Sequence, residues 1–136
     1  MKVFLDSNVL VSAFATRGLS ADVFRLVVTE HELLTGEVVL EEVERVLRAK
    51  FLLPPSDVQE ILALLRDYAV EPKPPAPTQV HIADPDDAWV LASAIAAGAD
   101  LMITGDRALL EIDAEVTELQ IISPREFWEL HRGPRS

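Results

Sequence analysis

Apolar residues along this chain come in short runs separated by polar punctuation. Val3, Phe4 and Leu5 form the first run. Asp6, Ser7 and Asn8 end it, and a mostly apolar stretch from Val9 to Phe14 follows at once. Similar runs recur as ELL at 32–34, LMIT at 101–104 and LQII at 119–122, each closed within a few residues by a polar or Gly/Pro break. Runs of this kind predict strands buried on both faces, as in a parallel sheet. Helical patterns lie between them. Residues 20–29 open on Ser20 as an N-cap, with Asp22 in the first turn. Residues 37–50 align Val39, Val43, Val46 and Leu47 on one face. Residues 56–69 begin with Ser56 and Gln59, a capping box. Residues 85–97 are apolar almost all round after the first turn, which predicts a helix buried on several sides. Strands alternating with helices predict an α/β fold with a parallel sheet.

The segment EPKPPAPTQ at 71–79 holds four of the nine prolines. It reads as an extended connection inside one domain, because either flanking half is too small to hold a core alone. The expected organisation is a single domain over residues 1–130, with a basic tail, HRGPRS, frayed from 131 to 136.

Composition narrows the function classes. With 12 basic against 23 acidic residues the net charge is −11, which argues against a broad, sequence-independent footprint on nucleic acid. A nucleic-acid substrate held in a local cleft through a cation stays open. The absence of Cys removes disulfides and thiolate zinc sites. Lys2 is followed by only three apolar residues before Asp6, so there is no secretory signal pattern. The longest nearly apolar stretch, Ala88 to Ala99, falls short of the ~20 residues needed to span a bilayer. The default expectation is a cytoplasmic protein without membrane contact.

The candidate chemistry is carried by acids. In open parallel sheets the ligand site lies beyond the carboxyl ends of the strands. Asp6 follows the first strand, and Asp106 follows the strand that ends in Thr104. Asp84-Pro85-Asp86-Asp87 opens the buried helix, and Glu41, Glu42 and Glu44 lie on the helix at 37–50. Taken singly, each has a bland reading. Asp6-Ser7-Asn8 and Asp84-Pro85-Asp86-Asp87 suit helix caps, Thr104-Gly105-Asp106 suits a turn into a short helix at 107–112, and the glutamates suit a solvated face. Glu41 points away from the apolar face centred on Val43. Glu42 and Glu44 sit on its two borders, and periodicity does not choose between them. Together the acids say more. Carboxylates converging on one sheet edge repel one another unless a cation or raised pKa values offset the charge. Oxygen-only ligands suit a hard ion, Mg²⁺ or Mn²⁺, and such an ion assists hydrolysis of phosphate esters.

The stretches VFLDSNVLVSAF, LEEVERVLRAKF and IADPDDAWVLASAIAAGADLMITGDRALL, in this order, resemble the PIN-domain family. More narrowly they resemble the VapC-like toxin components of toxin–antitoxin pairs, over roughly residues 1–128. The last stretch is the most specific. The resemblance implies a three-layer α/β/α sandwich around a central parallel sheet, PIN-like and Rossmann-like. It implies a metal-dependent endoribonuclease that uses three or four acids to hold Mg²⁺ or Mn²⁺. On that reading the catalytic and metal-binding acids are Asp6, Glu42, Asp87 and Asp106, with Asn8 and Thr104 in support. Asp84 matches an additional acid of the subgroup, and Asp86 matches less well. An RNA substrate, a small antitoxin protein and a homodimer or higher oligomer are the implied partners.

Rival readings are a Mg²⁺-dependent phosphatase or phosphotransfer domain, and an inactive PIN-like protein-binding module. A phosphatase with an Asp nucleophile wants a second Asp two residues on, where this chain has Asn8. A phospho-receiver wants a Lys after a late strand, where it has Arg107. His31, His81 and His131 are far apart in the sequence and read as structural or surface groups. Trp89 and Trp128 read as core or interface residues, since neither lies among basic residues in sequence, as a base-stacking platform would.

Overall fold

The computed structural model describes residues 1–132. Five strands, β1 (Lys2–Leu5), β2 (Glu32–Gly36), β3 (Ala69–Glu71), β4 (Leu101–Ile103) and β5 (Gln120–Ile122), form one sheet in the order β3-β2-β1-β4-β5, with every pair parallel. Phe4 stands in register with Leu34 on one side and Met102 on the other. Val3, Phe4 and Leu5 are fully buried on alternating faces. That is why the run is apolar throughout and does not alternate.

Seven helices connect the strands: α1 (Ser7–Ala15), α2 (Leu19–Glu30), α3 (Glu37–Ala49), α4 (Pro55–Arg66), α5 (Pro85–Ala96), α6 (Arg107–Glu111) and α7 (Pro124–Arg132). The steps from β1 through β2 to β3 run one way across the sheet, and those from β3 through β4 to β5 run back. Right-handed crossovers therefore put α1 to α4 on one face and α5 and α6 on the other. The result is the three-layer α/β/α sandwich. Contacts between α3 and α5 join the two helical layers.

Several boundaries differ from those read in the sequence. The helix expected to start at Ser56 starts at Pro55, with Pro54 in the cap position and no side-chain cap. Proline preset for the first helical turn outweighs the capping box here. Ser20 lies inside α2, which Gly18 precedes without a side-chain cap. The strand β3 was not expected: Ala69 ended the helix read at 56–69 and Glu71 began the extended connection, yet residues 69–71 pair with Leu34, Thr35 and Gly36 at the sheet edge. Its alternation is too short to register against the helical pattern before it. Helix α7 runs through His131 to Arg132, and the rest of the expected tail, residues 133–136, lies outside the described residues.

Two of the three histidines meet. His31 Nε2 and His131 Nε2 lie 2.6 Å apart, His131 Nδ1 is 3.0 Å from the Phe127 carbonyl, and the Met1 ammonium is 3.4 Å from His31 Nδ1. The pattern closes with His131 donating through Nδ1 to the Phe127 carbonyl and His31 donating through Nε2 to His131 Nε2. The pair ties the start of β2 to the end of α7. Among the described residues no helix is long and apolar enough to cross a membrane.

Candidate metal-binding active site

The chain direction reverses across the sheet at β1, whose neighbours β2 and β4 belong to the two opposite runs of connections. This is the switch point at which a crevice opens beyond the carboxyl ends of the strands. Asp6 and Thr104 end the two adjacent strands at that point. The Asp6 N–H donates to the Ile103 carbonyl at 3.0 Å, and the Thr104 N–H donates to the Ile122 carbonyl at 3.0 Å. Both residues are thus fixed by the sheet ladder before their side chains act.

Asp6 is 3% exposed and N-caps α1. Its Oδ1 accepts from the Ser7 N–H at 2.7 Å. Its Oδ2 accepts from the Thr104 hydroxyl at 2.7 Å and from the Asn8 amide at 3.1 Å. Thr104 Oγ1 in turn accepts from the Asp106 N–H at 3.0 Å, and Asn8 Oδ1 accepts from the Gly105 N–H at 2.9 Å. Asn8 and Thr104 therefore lace the end of β1 to the turn after β4, the supporting task expected of them. Asp106 N-caps α6, with Oδ1 accepting from the Ala108 N–H at 2.9 Å. Asp84 N-caps α5 in the same way through the Asp86 N–H. The capping reading thus holds for all three side chains, Asp6, Asp84 and Asp106.

Asp87 lies in the first turn of α5 and is buried, while Asp86 beside it is exposed. Burial, the hydrogen-bonded Asp106 carboxyl and the charges of Asp106, Asp6 and Asp84 push the Asp87 pKa up to about 8. Burial raises Asp6 to about 6 against the opposing hydrogen bonds from Thr104 and Ser7, and the charges of Glu42 and Asp106 add to the rise. These mutual effects bring Asp6, Glu42, Asp87, Asp106 and Asp84 into one electrostatic neighbourhood. Of the two border acids on α3, Glu42 is the one whose charge reaches Asp6. Glu44 instead pairs with Arg48 at 3.0 Å.

The group fits a divalent ion in a particular way. Every candidate donor is an oxygen, and burial first, then neighbouring carboxylates, raises Asp6 and Asp87, a cost that a cation would offset. Among the described residues no three His, Cys, Asp or Glu side chains stand close enough to form a closed ligand cluster. A hard ion held by one or two carboxylates, with water and substrate oxygens completing its shell, needs no such cage.

Three hollows adjoin the acids. One of about 380 Å³ lies between α3 and α5, with Glu42, Arg45, Lys73, Asp86 and Trp89 in its wall. A second, about 370 Å³, is bounded by Asn8, Asp106 and Pro124. A third, about 310 Å³, is bounded by Ser7, Glu42 and Phe51. The first corrects the sequence reading of Trp89. Lys73 Nζ sits 4.8 Å over the indole, and Arg45 shares the hollow, so Trp89 does lie among basic groups. Arg45 could have been found from its spacing of three and four residues from Glu42 and Glu41 on α3. Lys73 lies in the proline-rich connection, where no periodicity points. Trp128 packs against the core as expected.

A PIN-domain family model matches residues 2–108. The chain belongs to the PIN-domain family. Solved structures similar to this PIN domain include VapBC2 of Rickettsia felis bound to a fragment of promoter DNA, at 15% identity and a TM-score of 0.64, covering 90% of this chain and 98% of that one. PAE2754 of Pyrobaculum aerophilum matches at 18% identity and a TM-score of 0.61, over 93% and 86% of the two chains. VapC20 of Mycobacterium tuberculosis, described as a sarcin-ricin loop cleaving toxin, matches at 16% identity and a TM-score of 0.56, over 87% and 98%. No curated protein sequence matches significantly.

Proposed function

We propose that this PIN domain is a divalent-metal-dependent endoribonuclease and the toxin of a toxin–antitoxin pair. The observation that carries the reading is the acid group at the switch point, where Asp6 and Asp87 are raised by burial and by each other's neighbours. The toxin description of VapC20 and the VapBC2 assembly support it by similarity of fold. Asp6, Asp87, Asp106 and Glu42 are the catalytic and metal-binding acids, and Asp84 stands at their margin. A bound Mg²⁺ or Mn²⁺ would offset charge on the phosphodiester and make water a better nucleophile. Thr104 and Asn8 hold the Asp6 carboxylate in one rotamer, so its free lone pairs keep a fixed direction. Glu42, facing Asp6 from α3, orients the attacking water. Asp106 caps α6 through Oδ1 and also hydrogen-bonds with Asp87. A small antitoxin and a second copy of the chain are the proposed partners, with the cytoplasm as the place of action.

The phosphatase alternative loses ground here. Asn8 stands where a second acid would be, with its amide donating to Asp6 and Thr104 and its oxygen held by Gly105. The nuclease reading is tested by incubating wild type and Asp6→Asn with mixed RNAs and Mn²⁺ or Mg²⁺, with EDTA as control. Cleavage that needs the ion and disappears in the variant supports it. Wild type that is inert with both ions, and that neither ion stabilises against heat, replaces it with the binding-module reading.

A further inference from the structure

We infer that the hollow between α3 and α5 is the subsite for one nucleotide of the RNA strand, next to the bond that is cut. This rests on the nuclease reading and adds to it where the strand lies. The hollow opens directly off the acids: Glu42 is part of its wall and also acts on Asp6, and Asp86 of its rim precedes Asp87. At about 380 Å³ it lies in the range of small-ligand sites, roughly 300–1,000 Å³. Trp89 supplies an aromatic wall, and Lys73 and Arg45 supply cations beside it.

The charge distribution makes this pairing informative. On a chain of net charge −11, a polyanionic strand needs local cations to approach the acids. Arg25, Arg48, Arg66 and Arg125 are held in ion pairs with Asp22, Glu44, Glu37 and Glu129. Arg45 and Lys73, like Lys2, Arg17, Lys50 and Arg107, have no ion pair among the described residues, and Arg45 and Lys73 line the same hollow beside Trp89. Lys73 rests on the indole, a contact that an entering base can replace. The base then stacks on Trp89 while the displaced ammonium, on its flexible stem, moves to a backbone phosphate beside Arg45. Glu41 and Asp86 on the rim turn phosphates toward that basic side and leave an uncharged base unopposed. A basic peptide is the poorer occupant, because Lys73 already fills the cation position over the ring.

The test uses the full chain with Trp128→Phe, which leaves Trp89 as its only tryptophan. A short single-stranded RNA of mixed sequence is titrated in EDTA, so binding is read without cleavage. The expected result is saturable quenching of Trp89 that weakens with salt. Lys73→Ala and Arg45→Ala, in the same background, should each weaken binding and flatten the salt dependence. In otherwise wild-type protein, Trp89→Leu should raise KM about tenfold, the scale of one lost base stack, with kcat little changed. If the wild type cuts RNA yet shows no quenching and Lys73→Ala leaves KM unchanged, the subsite is refuted and the nuclease reading stands. Quenching by RNA in a protein that cuts none refutes the nuclease reading and supports the hollow as an RNA site. Quenching by an arginine-rich peptide but not by RNA overturns the proposal in favour of a protein ligand. Lys73 is exposed, so its variant keeps the test decisive even if Trp89→Leu folds poorly.

Discussion

Replacing Asp6 by Asn separates the charge of this carboxylate from its hydrogen bonds. The folded state raises its pKa from 3.8 to about 6. A raised acid binds its proton more tightly when folded, so stability falls as pH climbs from the unfolded to the folded value and is flat above it. Two pKa units correspond to about 3 kcal/mol lost by the wild type above pH ~6. Asn removes that loss but exchanges an acceptor for a donor. At Oδ2 the new amide can still meet Thr104, whose hydroxyl can turn to accept. It opposes the Asn8 amide, which cannot flip because its oxygen holds the Gly105 N–H. One mismatched bond costs about 1–2 kcal/mol. The variant should therefore be about 1–2 kcal/mol more stable than wild type at pH 8 in EDTA, or a few degrees in Tm. Urea denaturation at pH 8 and at pH 4.5 reads the difference, which should vanish or reverse at the lower pH. Adding Mn²⁺ at pH 8 should stabilise the wild type and not the variant. An Asp6→Asn protein that is less stable than wild type at pH 8, by a margin independent of pH, would refute the reasoning. Asp6 would then be a helix cap and little else.

Other expectations follow from single contacts. Thr104→Val removes the hydroxyl that donates to Asp6 and accepts from the Asp106 N–H, and should lower RNA cleavage roughly 10–100-fold, with Thr104→Ser recovering most of it. Gly36→Ala places a methyl against the Ser93 hydroxyl and should cost about 1–3 kcal/mol in urea denaturation. Ser93→Ala should recover part of that loss and be neutral or stabilising alone, since the buried Ser93 Oγ has no hydrogen-bond partner. Burial, then His131 and the N-terminal ammonium, hold the His31 imidazole below its usual 6.5. A lowered base is stabilising when neutral, so stability should fall as pH drops below 6.5 toward the folded-state value. Asp6 and Asp87 drive wild-type stability the other way over pH 7.5 to 5, so the readout is a difference: the Tm of His31→Gln relative to wild type should rise as pH falls across that range.

The parts of the fold legible in the sequence are those where one periodicity runs long enough to be unambiguous. The Val3–Leu5 run and the Val39, Val43, Leu47 stripe meet that standard, and both lie where expected. Ala69–Glu71 does not, since a three-residue edge strand is defined by its partner and not by its own pattern. The candidate Asp residues were legible because each follows a strand or lies in the first turn of a helix, and topology alone carries such positions to one edge; mid-helix Glu42 had no such signal. What the sequence could not give was the pairing of distant side chains. Glu44 meets Arg48 while the charge of Glu42 reaches Asp6, His31 meets His131 through the packing of α7, and the setting of Trp89 comes from Lys73, a residue in an irregular connection.

Three of the acids, Asp6, Asp84 and Asp106, each give one oxygen to the first turn of a helix. The exposed N–H groups and the positive end of each helix offset part of the charge that the group accumulates. The cluster can thus assemble as the chain folds, before any cation arrives. In small zinc-dependent domains, by contrast, metal binding and folding are one event. Loading then becomes a step separate from folding. On the nuclease reading, a newly made protein has its fold and its acidic surface complete before the ion that would activate it arrives.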